Sequence, residues 1–361
     1  MSRKLLPVSI TAVLMGGTAL AEVPNVAVDV APVHSLVARV MDGVGEPALI
    51  VQAGASPHEY SLRPSEAAAL QEADLVFWMG EDLTPWMEGA VETLADGATV
   101  TTLLESDGTV LLDFRENALF EAHSHDDHDD HDDHGHDDHD HEGHDDRADE
   151  GHDDHDHGDD HAKHDDHDHA KDDDHDHDDH ADAKDHDGHD HGAHDPHAWL
   201  SPENASTWLN LIAAQLSAAD PDNAGTYFAN AAAAREEMAA LSAEVAQTLE
   251  PVRGGSFIVF HDAYQYFEND FDFPAAGAIS LGDAADPSPA RIAEIQGRIT
   301  GEGVDCVLAE PQFNPGIIET VLAGTEANTG VIDPLGSELE PGKDLYPQLI
   351  QNMAKTLAEC L

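Results

Sequence analysis

The sequence has little positive charge, few cysteines and no long apolar segment after its first residues. Its 361 residues include 15 Lys and Arg against 75 Asp and Glu, which gives a formal net charge of −60. A surface of this sign repels nucleic acid backbones and attracts cations, so nucleic acid is excluded as a partner. No segment beyond residue 21 is apolar enough to cross a bilayer.

Only two cysteines are present, Cys306 and Cys360. In an exported protein an even number favours a disulfide, and closing a loop of this length would stabilise the fold by about 4 kcal/mol. Two buried free thiols are the alternative. Neither cysteine has the spacing of a metal site.

Residues 1–21 have the pattern of a secretory signal peptide. Arg3 and Lys4 precede a short apolar run, and the small residues 19–21 (Ala-Leu-Ala) form a cleavage site. No cysteine follows that site, which argues against a lipid anchor there. We therefore expect an unanchored mature chain in the periplasm.

Residues 123–194 form a segment unlike the rest, which we call the His/Asp tract. The chain has 27 histidines, and all but four lie in this tract, where alanine is the only apolar residue type. Such a segment cannot bury enough surface to offset its chain entropy, so the composition predicts disorder. The tract could hold several zinc ions loosely, as an antenna, or it could serve solubility alone.

The remaining sequence alternates β-like and helical patterns, which predicts an α/β fold with parallel βαβ units. We expect two α/β lobes, each with a mainly parallel sheet flanked by helices. The predicted organisation is a first lobe at residues 22–221 with the tract as an insert, a linking helix at 222–250 and a second lobe at 251–361.

The individual elements follow from the same patterns. Strands are predicted at residues 25–30, 48–51, 74–78, 99–104, 257–260, 278–281, 306–309 and 330–332. Further helices are predicted at 35–41, 65–72, 202–217, 289–299, 315–322 and 346–359. Ser65 is expected to cap the second of these.

Three of the four histidines outside the tract occupy similar places. His58 follows a predicted strand, His261 ends another, and His197 precedes a predicted helix. Ligands of α/β folds collect at the carboxyl ends of strands, and neutral imidazole is a preferred ligand of Zn²⁺. We predict that the three bind Zn²⁺ at one cleft, although each could instead cap or pack its own element. His34, at a predicted helix entrance, is expected to be structural.

A fourth ligand is open at this stage. Asp333 follows a predicted strand and could add a carboxylate, or it could cap the turn at residues 333–336, and water could take the position instead. A zinc hydrolase would need a general base, and the chain lacks the HExxH pattern, so we expect no enzyme. A His-rich zinc-buffering protein would rely on the tract alone.

Five segments carry a resemblance to a known family. They are residues 54–65 (GASPHEYSLRPS), 195–202 (DPHAWLSP), 260–267 (FHDAYQYF), 309–313 (AEPQF) and 333–336 (DPLG). In this order they resemble the periplasmic solute-binding subunit of high-affinity zinc ABC importers. The resemblance extends over most of the mature chain.

The resemblance implies that His58, His197 and His261 hold Zn²⁺ as cargo in a cleft between two lobes joined by one rigid helix. It also implies a Cys306–Cys360 disulfide and delivery to an inner-membrane zinc ABC permease with its ATPase. We expect a monomer, with a periplasmic zinc chaperone as a further partner. Some zinc members have a ligating Glu immediately before the first histidine, where this chain has Pro57.

Related manganese and iron binders resemble the chain as well, and this is the alternative function within the same family. They generally have Glu where His261 stands. Mn²⁺ favours oxygen ligands, whereas three imidazole nitrogens favour Zn²⁺.

Overall fold

The computed structural model describes residues 23–115, 120, 194–280, 282 and 287–361. The predicted signal peptide and the His/Asp tract up to residue 193 lie outside these described residues. None of the helices in the described residues is both long enough and apolar enough to cross a bilayer.

The first lobe contains a four-stranded parallel sheet with the strand order β2-β1-β3-β4. Its strands are β1 (Val26–Val28), β2 (Ala48–Leu49), β3 (Leu75–Trp78) and β4 (Thr99–Thr102). The second lobe repeats this arrangement with the order β6-β5-β7-β8. Its strands are β5 (Phe257–His261), β6 (Gly277–Ser280), β7 (Cys306–Ala309) and β8 (Asn328–Val331).

Nine α-helices flank the sheets in the described residues. They are α1 (Ala31–Val40), α2 (Pro64–Gln71), α3 (Glu88–Leu94), α4 (Pro202–Ala219), α5 (Ala224–Leu249), α6 (Gln265–Phe271), α7 (Pro289–Glu302), α8 (Pro315–Leu322) and α9 (Leu345–Cys360). The predicted fold class, two lobes with parallel sheets flanked by helices, is confirmed.

Alternate residues of each central strand face different apolar cores. Val28 of β1 packs in a core shared with α1, α4, α5 and α9, whereas its neighbour Ala27 packs beneath α2 and α3. In β5, Val259 faces the same shared core and Ile258 packs beneath α7 and α8. The shared core is continuous from one sheet to the other, so α1, α4, α5 and α9 form one helical layer between the two sheets.

Helix α5 is the longest member of this layer. Its 26 residues would span about 39 Å at 1.5 Å per residue. It buries Tyr227, Ala231, Ala234, Met238, Leu241, Val245 and Leu249, which recur every three or four positions. It contacts α1, α4 and α9. The lobe boundaries drawn from the sequence stay predictions, because this helix packs against both halves.

Two details of the helix predictions were wrong. Helix α2 begins at Pro64 with Arg63 as its N-cap, so Ser65 lies inside the first turn and does not cap it. Proline is favoured at the first helical position because its missing N–H is unpaired there anyway. Helix α1 begins at Ala31, four residues before its predicted start at Ser35.

The disulfide between Cys306 and Cys360 is present, with the two Cα atoms 5.7 Å apart. Cys306 is the first residue of β7 and Cys360 the last of α9. Asn328 of the neighbouring strand β8 donates its side-chain amide to the Cys360 carbonyl at 2.9 Å. The end of α9 is thereby fixed to the second sheet.

Removing this disulfide should destabilise the fold markedly. For the loop of 54 residues, we expect a Cys306→Ala/Cys360→Ala variant to lose about 4 kcal/mol of unfolding free energy. Urea unfolding at neutral pH measures the difference. A reducing agent should destabilise the native protein similarly and leave the double variant unaffected. Equal midpoints for the variant and the oxidised native protein would contradict the prediction.

Candidate metal centre

The second sheet supplies one histidine at the point where its strand order reverses. His261 is the last residue of β5, and Glu310 directly follows the adjacent parallel strand β7. Glu310 Oε1 accepts hydrogen bonds from His261 Nδ1 at 2.7 Å and from the His261 backbone N–H at 3.3 Å. Both residues are almost fully buried, with 3% of each exposed. Ligands bind at such switch points in open α/β sheets.

His197 lies on the short 3-10 turn that leads into α4. Two residues earlier, Asp195 Oδ1 accepts from His197 Nδ1 at 2.7 Å and from the His197 backbone N–H at 3.0 Å. Pro202 at the first helical position and the Ser201 side chain, which accepts from Asn204 N–H, start the helix immediately afterwards. His197 is 4% exposed and Asp195 is 1% exposed.

His58 lies on the loop between β2 and α2 and is only half-buried. The loop is fixed beside it, because the Trp86 indole donates to the Pro57 carbonyl at 2.7 Å. Further along, the Tyr60 hydroxyl donates to Glu66 of α2 at 2.8 Å. These bonds give a surface loop a defined position next to the other two histidines.

The three imidazoles converge. The ring centroids of His58 and His197 are 5.4 Å apart, and those of His197 and His261 are 5.3 Å apart. The Nε2 atoms of His58 and His197 are 3.4 Å apart. Two nitrogens bound to one tetrahedral zinc at about 2.0–2.1 Å lie about 3.3 Å apart, so this spacing suits a shared ion.

The three rings line one small cavity. Its remaining lining consists of Pro57, Trp199, Gln312, Pro334 and Leu335. The cavity volume of about 10 Å³ is close to the space that one water-sized particle takes. The cavity therefore has room for about one ion or one water molecule.

The carboxylates of Asp195 and Glu310 fix the chemistry of their histidines. A carboxylate that accepts from Nδ1 holds the proton on that nitrogen and leaves the Nε2 lone pair for a cation. The same contact raises the basicity of the imidazole as a ligand. The rings of His197 and His261 are thus each held in a fixed orientation by a carboxylate of the protein.

Other charged and polar groups surround these pairs. Burial raises the pKa of Asp195 to about 7, and the hydrogen bond from the His197 amide opposes the shift. Burial likewise raises the pKa of Asp262 to about 6, against the lowering effect of its Arg115 partner. The pKa of Tyr264 lies well above its ordinary value because of burial and the nearby Glu310 and Asp333.

Asp333 is occupied by its own turn. Its Oδ1 accepts from the backbone N–H groups of Leu335 and Gly336 at 3.0 Å, and its Oδ2 accepts from the Ser337 N–H at 2.6 Å and hydroxyl at 2.7 Å. The following residues, Pro334 and Leu335, line the cavity in its place. Ligation by Asp333 stays a prediction that would require it to give up part of this turn.

His34 lies apart from the other three, within helix α1. Its Nε2 is 3.0 Å from the Pro47 carbonyl oxygen, and its ring is buried in the helical layer. Burial lowers the pKa of His34, which favours a neutral, structural imidazole.

The comparison with protein families identifies the chain. The family model of ZnuA, described as zinc-uptake complex component A, periplasmic, matches residues 26–360. The chain belongs to this family. A curated ZnuA protein of Brucella abortus, named a high-affinity zinc uptake system protein, is 44% identical over 346 residues, which cover 96% of this chain and 94% of the relative. The protein of the same name from Paracoccus denitrificans is 43% identical over 358 residues, which cover 98% of this chain and 97% of the relative.

Solved structures of other proteins share the fold. A crystal structure of ZnuA matches with a TM-score of 0.65 at 19% identity, covering 94% of this chain and 99% of that one. A manganese complex of FpvC from Pseudomonas aeruginosa matches equally well in fold, with a TM-score of 0.65 and 17% identity, covering 94% of this chain and 98% of that one. The likeness of fold therefore does not distinguish zinc from manganese, and the resemblance drawn from the five segments is confirmed by the family match.

The sequence prediction missed the roles of Asp195 and Glu310. Both lie in the segments that carry the family resemblance, and Asp195 is only two residues from His197. The role of Glu310 depends on the adjacency of β5 and β7, which places residues 261 and 310 side by side. Strand order within the second sheet was the missing signal.

Glu310→Gln should weaken Zn²⁺ binding by about 10- to 100-fold, the usual effect of removing such a partner of a metal-binding histidine. The glutamine side chain has the same shape as glutamate. Its neutral amide oxygen is a weaker acceptor than the carboxylate, so it no longer fixes the tautomer of the His261 imidazole. Competition with a zinc chelator measures the affinity. Glu59→Gln is the matched control, since Glu59 is an exposed acid beside His58. The prediction would be contradicted if both variants lost Zn²⁺ affinity equally, or if neither variant lost affinity.

Proposed function

We propose that this protein captures Zn²⁺ in the periplasm and delivers it to an inner-membrane ABC permease for uptake. The convergence of the three imidazoles on one ion-sized cavity is the observation that carries the proposal. The names of its relatives, high-affinity zinc uptake proteins, support the choice of cargo. Zn²⁺ is the transported ion here and not a catalytic cofactor.

The donor set favours zinc over manganese. Each of the three imidazoles that line the cavity offers nitrogen, and the carboxylates of Asp195 and Glu310 are engaged with Nδ1 atoms. Mn²⁺ favours oxygen ligands, whereas Zn²⁺ accepts imidazole readily in a tetrahedral site. A water molecule could complete the tetrahedron, with Asp333 as the protein alternative.

The same engagement argues against a zinc hydrolase. A hydrolase needs a carboxylate or histidine within reach of a metal-bound water as general base. Asp195 and Glu310 hold histidines in place instead, and the cavity is too small for an ester or peptide. We infer that the protein is a binding component and not an enzyme.

Partners and location follow from the function. The family description names a periplasmic component of an uptake complex. We infer that the mature chain works in the periplasm as a monomer, with a zinc ABC permease and its ATPase as receivers. A periplasmic zinc chaperone would be a donor of Zn²⁺.

A zinc titration of single variants tests the site. His261→Ala should lose the tight site, because two imidazoles cannot replace three, and His197→Ala should do the same. The titration is followed by calorimetry in competition with a chelator, which isolates tight binding from weak binding. His34→Ala, a buried histidine outside the site, is the control and should keep the tight site.

A His58→Ala/His197→Ala/His261→Ala variant separates this proposal from a buffering role of the tract. If the tract alone held zinc, the triple variant would bind as tightly as the native protein. That result, with the variant folded by circular dichroism, would overturn the proposal.

Deleting residues 123–193 tests the antenna hypothesis for the His/Asp tract. His194 is kept, because its ring pairs with Asp113. We expect loss of additional weak zinc sites while one tight site per chain remains, since the three site histidines lie outside the deletion. Calorimetric titration with Zn²⁺ measures the number of weak sites and the number of tight sites per chain. An unchanged stoichiometry would favour a tract that serves solubility alone.

A further inference from the structure

The two chain segments that lead into and out of the His/Asp tract are joined to each other. The Asp195 N–H donates to the Leu112 carbonyl at 2.9 Å, and Asp113 and His194 form an antiparallel bridge. Tyr266 of α6 connects both, since its hydroxyl accepts from the Leu112 N–H at 3.1 Å and donates to the Asp195 carbonyl at 2.8 Å. The base of the tract is therefore docked on a helix of the second lobe.

Arg115 strengthens this docking with a buried ion pair. Its Nε lies 3.0 Å from both carboxylate oxygens of Asp262, and a terminal nitrogen also contacts Asp262. The two terminal nitrogens donate to Glu268 at 2.8 and 3.0 Å. The guanidinium also lies 3.5 Å from the centroid of the Phe120 ring. One cation thus compensates two carboxylates that are 3% and 6% exposed.

The position of this ion pair relates it to the metal centre. Arg115 belongs to the segment after β4 in the first lobe, whereas Asp262 directly follows His261 and Glu268 lies on α6. His58 and His197 come from sequence preceding α5, and His261 comes from sequence following it. The ion pair therefore holds the chain around His261 against the segment whose Leu112 carbonyl accepts from the N–H of Asp195, the partner of His197.

We infer that Arg115 is a positioning residue for zinc retention, which holds His261 in register with His58 and His197. The inference rests on the proposed function, because it concerns the same three histidines. Arg115 acts through Asp262 and α6 and does not itself bind the ion.

The physical consequence of losing Arg115 is specific. Removing one partner of a buried pair leaves uncompensated buried charge, which the structure relieves by admitting water or shifting the chain. The end of β5 and the start of α6 would then move relative to the first lobe. Zinc would still meet His58 and His197 on arrival, but its third ligand would be held less firmly. Dissociation should accelerate while association stays nearly the same.

Stopped-flow release of Zn²⁺ into excess EDTA tests the inference on the full-length protein. The slow phase reports the tight site, because weakly held ions leave first. We expect Arg115→Gln to speed the slow phase by about tenfold, at the lower end of the effect of residues that support metal ligands, with little change in association. Arg115→Lys should be intermediate, since it keeps the charge but cannot bond both carboxylates as a fork.

Two further variants keep the test decisive. Arg39→Gln breaks another ion pair between elements, a more exposed one between α1 and Glu237 of α5, and should leave the slow phase unchanged. Glu268→Gln keeps Arg115 with Asp262 and should accelerate release even if Arg115→Gln does not fold. Release rates in the Arg115 and Glu268 variants equal to that of Arg39→Gln would overturn the inference. A slow phase that persists in the triple histidine variant would overturn the proposed function instead.

Discussion

The hydrogen bond from a buried imidazole to a buried carboxylate is the interaction on which the candidate metal centre depends. His197 with Asp195 and His261 with Glu310 repeat the same contact, each at 2.7 Å through Nδ1. Both groups gain from this contact. A buried carboxylate needs a hydrogen-bond donor to offset the cost of burial, and the imidazole needs an acceptor that keeps its proton on Nδ1. Each pair also uses the backbone N–H of its histidine, which ties ring orientation to the main chain.

The fold brings these pairs together through parallel strands. Side chains at the carboxyl ends of adjacent parallel strands lie next to each other, and His261 and Glu310 meet for this reason. The shared helical layer then fixes the distance between the sheets. Trp199 on the turn before α4 donates to the Pro334 carbonyl, and the Tyr346 hydroxyl of α9 donates to the Trp199 carbonyl. The two halves are cross-linked beside the cavity by groups from the layer itself.

Much of this could be predicted from the sequence, and the limits have physical causes. All eight strands of the described residues overlap their predicted ranges, because short runs of apolar or β-branched residues between helical patterns are a strong signal. Helices α3 and α6 were not predicted, since each has only seven residues and too few turns to show a period. His197 and His261 could be singled out because they stand at element ends, and His58 because it lies on the loop after a predicted strand. Their convergence required knowing that the two sheets share one layer.

The ambiguous residues show the same limit. Asp333 could be recognised as a turn residue or a ligand, and local sequence cannot choose between them because both uses need the same two oxygens. The structure shows both oxygens engaged in the turn. Ser65 was mistaken for a cap because serine is a frequent N-cap, but the proline before it had already begun the helix.

The unequal exposure of the three rings has a consequence for the route of the ion. His197 and His261 are almost completely covered, whereas His58 on its surface loop is partly open to solvent. If the protein binds the ion as proposed, an ion arriving from water would meet His58 first and the two covered rings afterwards. On release the order would reverse, so His58 would control both entry and exit.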